Sequence, residues 1–221
     1  MSKPQEILTA WKANGGSWIQ AINQQELASR NAATNAAIIN AINTHCPNSI
    51  LDLGCGEGWL CRALVQSGRK VVGIDGVSSL IEDAIDKDQS GSYYCHDYDA
   101  IRKGALSQLG QFDIIAFNFA LFEEQGTPTL LSQLRHHVVP TGSLVFQTVI
   151  LGNEESSGWH QEDWRALKRD FPAAFPWYYR TPDDWKATLQ ESGWNAVTMD
   201  RILHPESGAS LSLIIHAKLL P

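Results

Sequence analysis

The feature that most constrains this chain is a rhythm through its middle, in which short apolar strands alternate with helices. Ser49 to Leu53, Lys70 to Ile74, Tyr93 to His96, Phe112 to Asn118 and Gly142 to Val149 read as strands. Between them, apolar spacing predicts helices over Trp59 to Ser67, Ser79 to Ile85, Ala100 to Leu109 and Pro128 to His137. Strands joined through helices pair in parallel, because the crossover helix carries the chain back to the same end of the sheet. Such a sheet is covered on both faces, which explains why its strands are continuously apolar. The expectation is an α/β protein with a doubly wound sheet.

The flanking segments complete that expectation. Residues 1–45 read as a helical cap, interrupted at Gly15 and Gly16. Residues 151–180 have no clear period, and Asp183 to Ser192 reads as a helix ended by Gly193. Two more strands, Asn195 to Ile202 and Ser210 to Ala217, are joined by a loop holding His204, Pro205 and Gly208. That loop is too short for a parallel crossover, so the last strand should run antiparallel. The result is one structural domain with seven strands, divided into a cap at 1–45 and a main body at 46–221.

Composition narrows the partners. With 17 basic and 24 acidic side chains the formal charge is -7, which disfavours nucleic acid or an anionic membrane surface. No apolar run approaches the roughly 18 residues that span a bilayer. Met1 to Lys12 lacks the apolar core of a signal peptide, so a cytoplasmic setting is expected. Cys46, Cys55, Cys61 and Cys95 form no C-x-x-C pair. They read as reduced thiols, with no metal site expected.

The chemistry-bearing stretch is Ile50-Leu51-Asp52-Leu53-Gly54-Cys55-Gly56-Glu57-Gly58-Trp59, a strand that enters a glycine-rich turn and then a helix. Glycines there permit positive φ and let a ligand lie against bare backbone. Asp75 closes the second strand and can accept both hydroxyls of a ribose, so the pair points to a nucleoside ligand. A dinucleotide fingerprint needs a third glycine where Trp59 stands, and an indole crowds a pyrophosphate. The nicotinamide alternative is therefore the weaker of two enzyme readings, and a non-catalytic cofactor-binding module is a third.

With these residues in view, the chain resembles the class I S-adenosylmethionine-dependent methyltransferases over about residues 30–218. The small-molecule branch that includes ubiquinone-pathway-type O-methyltransferases is the nearest likeness. The resemblance implies a Rossmann-like, mostly parallel seven-stranded sheet with an antiparallel C-terminal strand. It implies S-adenosylmethionine as cofactor and S-adenosylhomocysteine as product. Asp52, Gly54, Cys55 and Gly56 match the cofactor loop, and Asp75 the ribose acid. Asp97, with Tyr98 beside it, matches the adenine-contacting acid, while Asn118 and Phe119 match positions along the cofactor after the fourth strand. Arg30 occupies the place of a cap arginine that meets the methionyl carboxylate; a solvated helix-surface arginine is the competing reading.

The acceptor implied is a small molecule, with oxygen the favoured target. A base is required only if the acceptor carries a proton at neutral pH. His160, His204 and Glu123 are candidates, none assigned as catalytic, and His136 and His137 read as helix-end residues. In the resembling family the segment after strand five lies over the active site, which makes 151–185 an expected lid. It is dense in aromatics, among them Trp159, Trp164, Phe175, Trp177 and Tyr178. Trp159 and Tyr178 are the expected walls for a flat acceptor.

Overall fold

The computed structural model describes every residue except 66, 67, 153–155, 163, 165, 166, 220 and 221. Among the described residues nine strands form: β1 (Ser49–Leu53), β2 (Lys70–Asp75), β3 (Ser92–Cys95), β4 (Phe112–Asn118), β5 (Val138–Thr148), β6 (Gly158–Glu162), β7 (Phe175–Tyr179), β8 (Trp194–Leu203) and β9 (Ser210–Leu219). Seven of them build one sheet in the order β3-β2-β1-β4-β5-β9-β8. β1 pairs in parallel with both β2 and β4, which puts the strand-order reversal beside β1. β9 lies antiparallel to β5 and to β8, as the short loop requires. In open α/β sheets ligands sit at the carboxyl ends of strands at such a switch point.

The helices are α1 (Lys3–Asn23), α2 (Asn35–Asn43), α3 (Trp59–Leu64), α4 (Ser78–Lys87), α5 (Tyr98–Arg102), α6 (Gly126–Leu134) and α7 (Pro182–Glu191). The core is built where Leu51, Leu53, Ile115, Phe117, Leu144 and Phe146 meet α6, α7 and Trp194. On the other face Ile38, Ile42, Leu60 and Leu64 cover Ile50, Ile114 and Val145. Trp194 is fully buried and its indole N–H donates to the Leu131 carbonyl at 2.9 Å, which ties β8 to α6.

Three expectations change. α1 continues through Gly15 and Gly16, where a break is expected from sequence. Gly15 is buried against α4, and a Cβ there would stand 2.7 Å from Ser79 Oγ. Its small size permits a close helix crossing and does not end the helix. The helix expected over Ala100 to Leu109 is the short α5, with its N-terminus capped by Asp97, whose Oδ1 accepts Ala100 N–H at 2.7 Å. Within 151–180, expected to be irregular, β6 and β7 form a separate antiparallel hairpin. The end of the helix expected through Ser67, at 66 and 67, lies outside the described residues, as do 153–155, 163, 165 and 166 of the expected lid. Among the described residues, no helix is long and apolar enough to cross a membrane.

Candidate active site

A cavity of about 1030 Å³ opens at the carboxyl ends of β1, β2 and β4 and continues beneath α1 and the β6–β7 hairpin. Its floor is the turn after β1. Gly54, Gly56 and Gly58 all have positive φ, at 74°, 58° and 79°. Gly54 is confined as well, since a Cβ would stand 2.4 Å from the Ala120 Cβ. At Gly56 the space is open, and the nearest atom to an added Cβ is Trp18 Nε1 at 3.8 Å. That open strip between loop and cap is where a ligand can press against backbone.

Asp75 is anchored by the same loop. Its Oδ2 accepts the Gly56 N–H at 3.0 Å and its Oδ1 accepts the Val77 N–H at 2.9 Å. Burial raises its carboxyl to about 6, opposed by the backbone N–H groups of Gly56, Val77 and Gly76. Each carboxylate oxygen keeps a second acceptor lobe, which suits the two hydroxyls of a ribose. Asp52 lies beneath the loop at 1% exposure. Burial lifts it to about 7, against the Cys61 thiol, which donates to Oδ2 at 3.5 Å. Its Oδ1 is buried without a partner.

The opposite end of the floor is charged. Arg30 begins a π-helical turn over Arg30–Thr34, a form that recurs at functional positions in helices. Its guanidinium lies 4.5 Å from the Trp59 ring, and Nε donates to Asn35 Oδ1 at 3.0 Å. Only 8% of the residue is exposed. Burial lowers it to about 10, opposed by Glu57, so it is still a cation at neutral pH. Glu57 is fully buried, shares its charge with Arg62 at 3.3 Å, and is pushed up by that burial. A buried cation with its remaining N–H groups facing a cavity is suited to a carboxylate.

Beyond β3 and β4 the wall is formed by Asp97, Tyr98, Asn118 and Phe119. Tyr98 donates to the Ala120 carbonyl at 3.0 Å, and burial raises its phenol well above the ordinary range. Asn118 Oδ1 is buried without a partner, and Phe119 holds φ at 53° with its N–H on Gln147 O at 2.8 Å. Positive φ in a bulky residue is strain of the kind that gathers at binding sites. Cys55 lines the floor, but burial drives its thiol well above the ordinary value, so it offers no thiolate.

The far half of the cavity is aromatic. Trp11 and Trp18 project from α1 and meet edge to face at 5.3 Å; both also pack against Trp164. Trp164 sits at φ 61° with its N–H on Glu162 Oε1 at 2.8 Å, and its ring stacks on Phe171 at 4.3 Å. Phe175, Trp177, Phe122 and Glu123 complete this end.

The structure thus brings together Arg30, Gly54, Cys55, Gly56, Asp75, Asp97, Tyr98, Asn118 and Phe119 on one cavity wall, with Asp52 directly below. Trp159 and Tyr178 are placed elsewhere. They pair across the hairpin, on the pleat face opposite to the one bearing Glu162, Phe175 and Trp177, which line the cavity. Trp159 is exposed and donates to Glu124 Oε2 at 3.2 Å. Among the three candidate bases, Glu123 lines the cavity and its Oε2 accepts Arg102 Nη1 at 2.8 Å. His160 stacks on Trp177 at 4.9 Å, and His204 accepts the N–H groups of Glu206 and Ser207 in the β8–β9 turn. Trp11 and Trp18 were not expected as site residues. Their spacing of seven on one helix, with Ile7 and Gly15 on the same face, is the signal that identifies them. Among the described residues, no group of three or more His, Cys, Asp or Glu is placed to hold a metal ion.

Comparison with known proteins identifies the family and the fold. Residues 17–199 match the family described as methyltransferase domain. An uncharacterized methyltransferase of Schizosaccharomyces pombe is 27% identical over 176 residues, covering 76% of this chain and 67% of that protein. A ubiquinone biosynthesis O-methyltransferase of Brucella anthropi is 34% identical over 103 residues, covering 46% of this chain and 40% of the relative. Among solved structures, the DhpI–SAH complex aligns with a TM-score of 0.69 at 17% identity, over 99% of this chain and 98% of the other. The Burkholderia thailandensis 1,6-didemethyltoxoflavin-N1-methyltransferase, with that compound and S-adenosylhomocysteine bound, also aligns at 0.69, with 14% identity over 100% and 92% of the two chains. These two likenesses concern the fold; the matched domain covers most of the chain. The chain belongs to the methyltransferase-domain family and is a class I S-adenosylmethionine-dependent methyltransferase.

Proposed function

We propose that this enzyme transfers the methyl group to a small-molecule acceptor, oxygen-directed, held in the aromatic half of the cavity. The observation that carries this reading is the continuity of the cavity, which runs from the glycine loop and Asp75 to Trp11, Trp164 and Trp177 without a wall between. In this reading Arg30 holds the methionyl carboxylate, Asp75 the ribose hydroxyls, and Asp97 and Tyr98 border the adenine. Asn118 and Phe119 flank the cofactor along its length, and Asp52 and Cys55 support the loop formed with Gly54 and Gly56. When bound, S-adenosylmethionine supplies a methyl group already activated by its sulfonium charge. The chain's contribution is then alignment and exclusion of water, and the indoles of α1 and the hairpin provide both.

Glu123 is the candidate base that reaches this space. Arg102 occupies its Oε2, which leaves Oε1 to receive a hydroxyl proton. The O-direction has support from relatives named ubiquinone biosynthesis O-methyltransferases in Brucella anthropi and Ruegeria. The small-molecule class has support from the Burkholderia neighbour, which holds 1,6-didemethyltoxoflavin. The nicotinamide alternative has no such support, and Trp59 lies beneath Arg30 where a third glycine would be needed. The test is methyl transfer from labelled S-adenosylmethionine across a panel of phenols, alcohols and amines, with product analysis. Transfer to phenols or alcohols is expected; transfer confined to amines would refute the O-direction. No transfer to any small molecule would refute the acceptor class.

A further inference from the structure

The cap helix contributes more than a roof. Trp18 is the α1 side chain that reaches back over the glycine loop, its Nε1 lying 3.8 Å from where a Cβ on Gly56 would stand. The same Gly56 donates its N–H to Asp75 Oδ2. Trp18 therefore stands where the aromatic half of the cavity meets the open strip next to Asp75. Its ring is fixed on the outer side by the edge contact with Trp11 at 5.3 Å and the tilted contact with Trp164 at 6.0 Å.

The helix beneath it is fixed as well. Asn14, fully buried, exchanges two hydrogen bonds with the Ala173 backbone, at 2.5 Å and 3.0 Å. Ser17 Oγ, adjacent to Trp18, donates to the Asp170 carbonyl at 2.8 Å. The indole is thus held in place before any ligand arrives. An indole N–H in a packed setting normally has an acceptor. Trp164 donates to Ala173 O at 2.9 Å and Trp194 to Leu131 O at 2.9 Å. The Trp18 N–H, like that of the buried Trp185, has no acceptor among the described residues, but the Trp18 nitrogen is the one that stands beside the glycine loop.

We infer that Trp18 is a further cofactor-binding residue, its indole N–H donating to an oxygen of the cofactor where the cofactor crosses Gly56. Either a ribose hydroxyl or the methionyl carboxylate supplies such an oxygen. The inference rests on the assignment of this cavity end to S-adenosylmethionine, and its test separates the two.

S-adenosylhomocysteine and 5′-methylthioadenosine are titrated calorimetrically into the wild-type protein and into Trp18→Phe, which keeps an aromatic ring and removes the donor. In parallel, the wild-type indole N–H resonances, assigned through the backbone, are followed by ¹⁵N NMR as S-adenosylhomocysteine is added. Loss of roughly tenfold in affinity is expected in Trp18→Phe for S-adenosylhomocysteine. A matching loss for methylthioadenosine assigns the ribose, and no loss there assigns the carboxylate. The Trp18 indole resonance is expected to move downfield on saturation. Unchanged affinity together with an unmoved Trp18 resonance overturns the inference while the cofactor site stands. A wild-type protein that binds neither compound overturns both. The NMR arm needs only wild-type protein, so it decides the matter even if the variant fails to fold.

Discussion

The two halves of the cavity are built in opposite ways. The half proposed to hold the cofactor is assembled from strand ends and the turns that follow them: Gly54 to Gly56 after β1, Asp75 ending β2, Asp97 after β3, Asn118 ending β4. Each residue's position is set by its own strand, and parallel pairing aligns the strand ends. The aromatic half is assembled from α1 and the β6–β7 hairpin, segments about 150 residues apart that meet through Trp11, Trp18, Trp164 and Phe175. Its geometry depends on contacts distant in sequence. The first half is a local grammar, and the second is a tertiary agreement.

That contrast predicts different responses to substitution, and the largest lies in the glycine loop. Gly54→Val puts a branched side chain at φ 74° with its Cβ 2.4 Å from Ala120 Cβ. S-adenosylhomocysteine binding is expected to fall by roughly a hundredfold or more, with a lowered melting temperature, as calorimetry and thermal melts would record. Near wild-type binding in this variant would mean that the loop does not form the floor.

Asp75→Ala is next. Removal of a charged acceptor from two hydroxyls should cost about 1–3 kcal/mol of cofactor affinity. The same carboxyl sets a pH dependence. It stands near 6 without ligand and must be ionised to accept hydroxyls, so binding lowers its pKa. Affinity is therefore fully present above pH 6 and is lost as pH falls through 6, by up to about tenfold per unit. A flat profile from pH 7 to 5 would break this assignment.

Asp52 gives a smaller effect, read in stability. Its folded carboxyl is raised from 3.8 to about 7, so the native state holds a proton that the unfolded chain releases. The resulting cost grows as pH rises from about 4 to 7 and is fully present above 7. Asp52→Asn should raise the melting temperature by roughly a few degrees above pH 7, and the gain should fade toward pH 4. A constant gain across that range would place its cause elsewhere. The smallest effect belongs to the half proposed for the acceptor, where Trp177→Ala should leave S-adenosylhomocysteine affinity within about twofold while lowering turnover.

The same contrast explains what the sequence reveals. The sheet, its antiparallel last strand, the glycine loop and Asp75 follow from local signals: apolar runs, a glycine turn, an acid closing a strand, and a loop too short for a crossover, whereas Arg30, Asp97, Tyr98, Asn118 and Phe119 are indicated only by the family resemblance. Gly15 shows the limit. In sequence a Gly-Gly pair marks a break, but in the fold it lets α1 cross α4 closely, and only the partner helix distinguishes the two. Trp159 and Tyr178 show it again. Whether an aromatic in 151–185 faces the cavity depends on the pleat of β6 and β7, and alternate residues point opposite ways. Without a detected hairpin there is no register from which to count. Trp11 and Trp18 share a face only because α1 continues through Gly15 and Gly16, and their meeting with Trp164 is set by tertiary packing.

The division of labour between the halves is tested most directly by S-adenosylhomocysteine affinity, measured by titration calorimetry side by side in wild-type protein, Asp75→Ala and Trp177→Ala. Tight binding in the wild type, a clear loss in Asp75→Ala and near wild-type binding in Trp177→Ala are the predicted results. An unaffected Asp75→Ala, or a Trp177→Ala variant that loses as much, would contradict it.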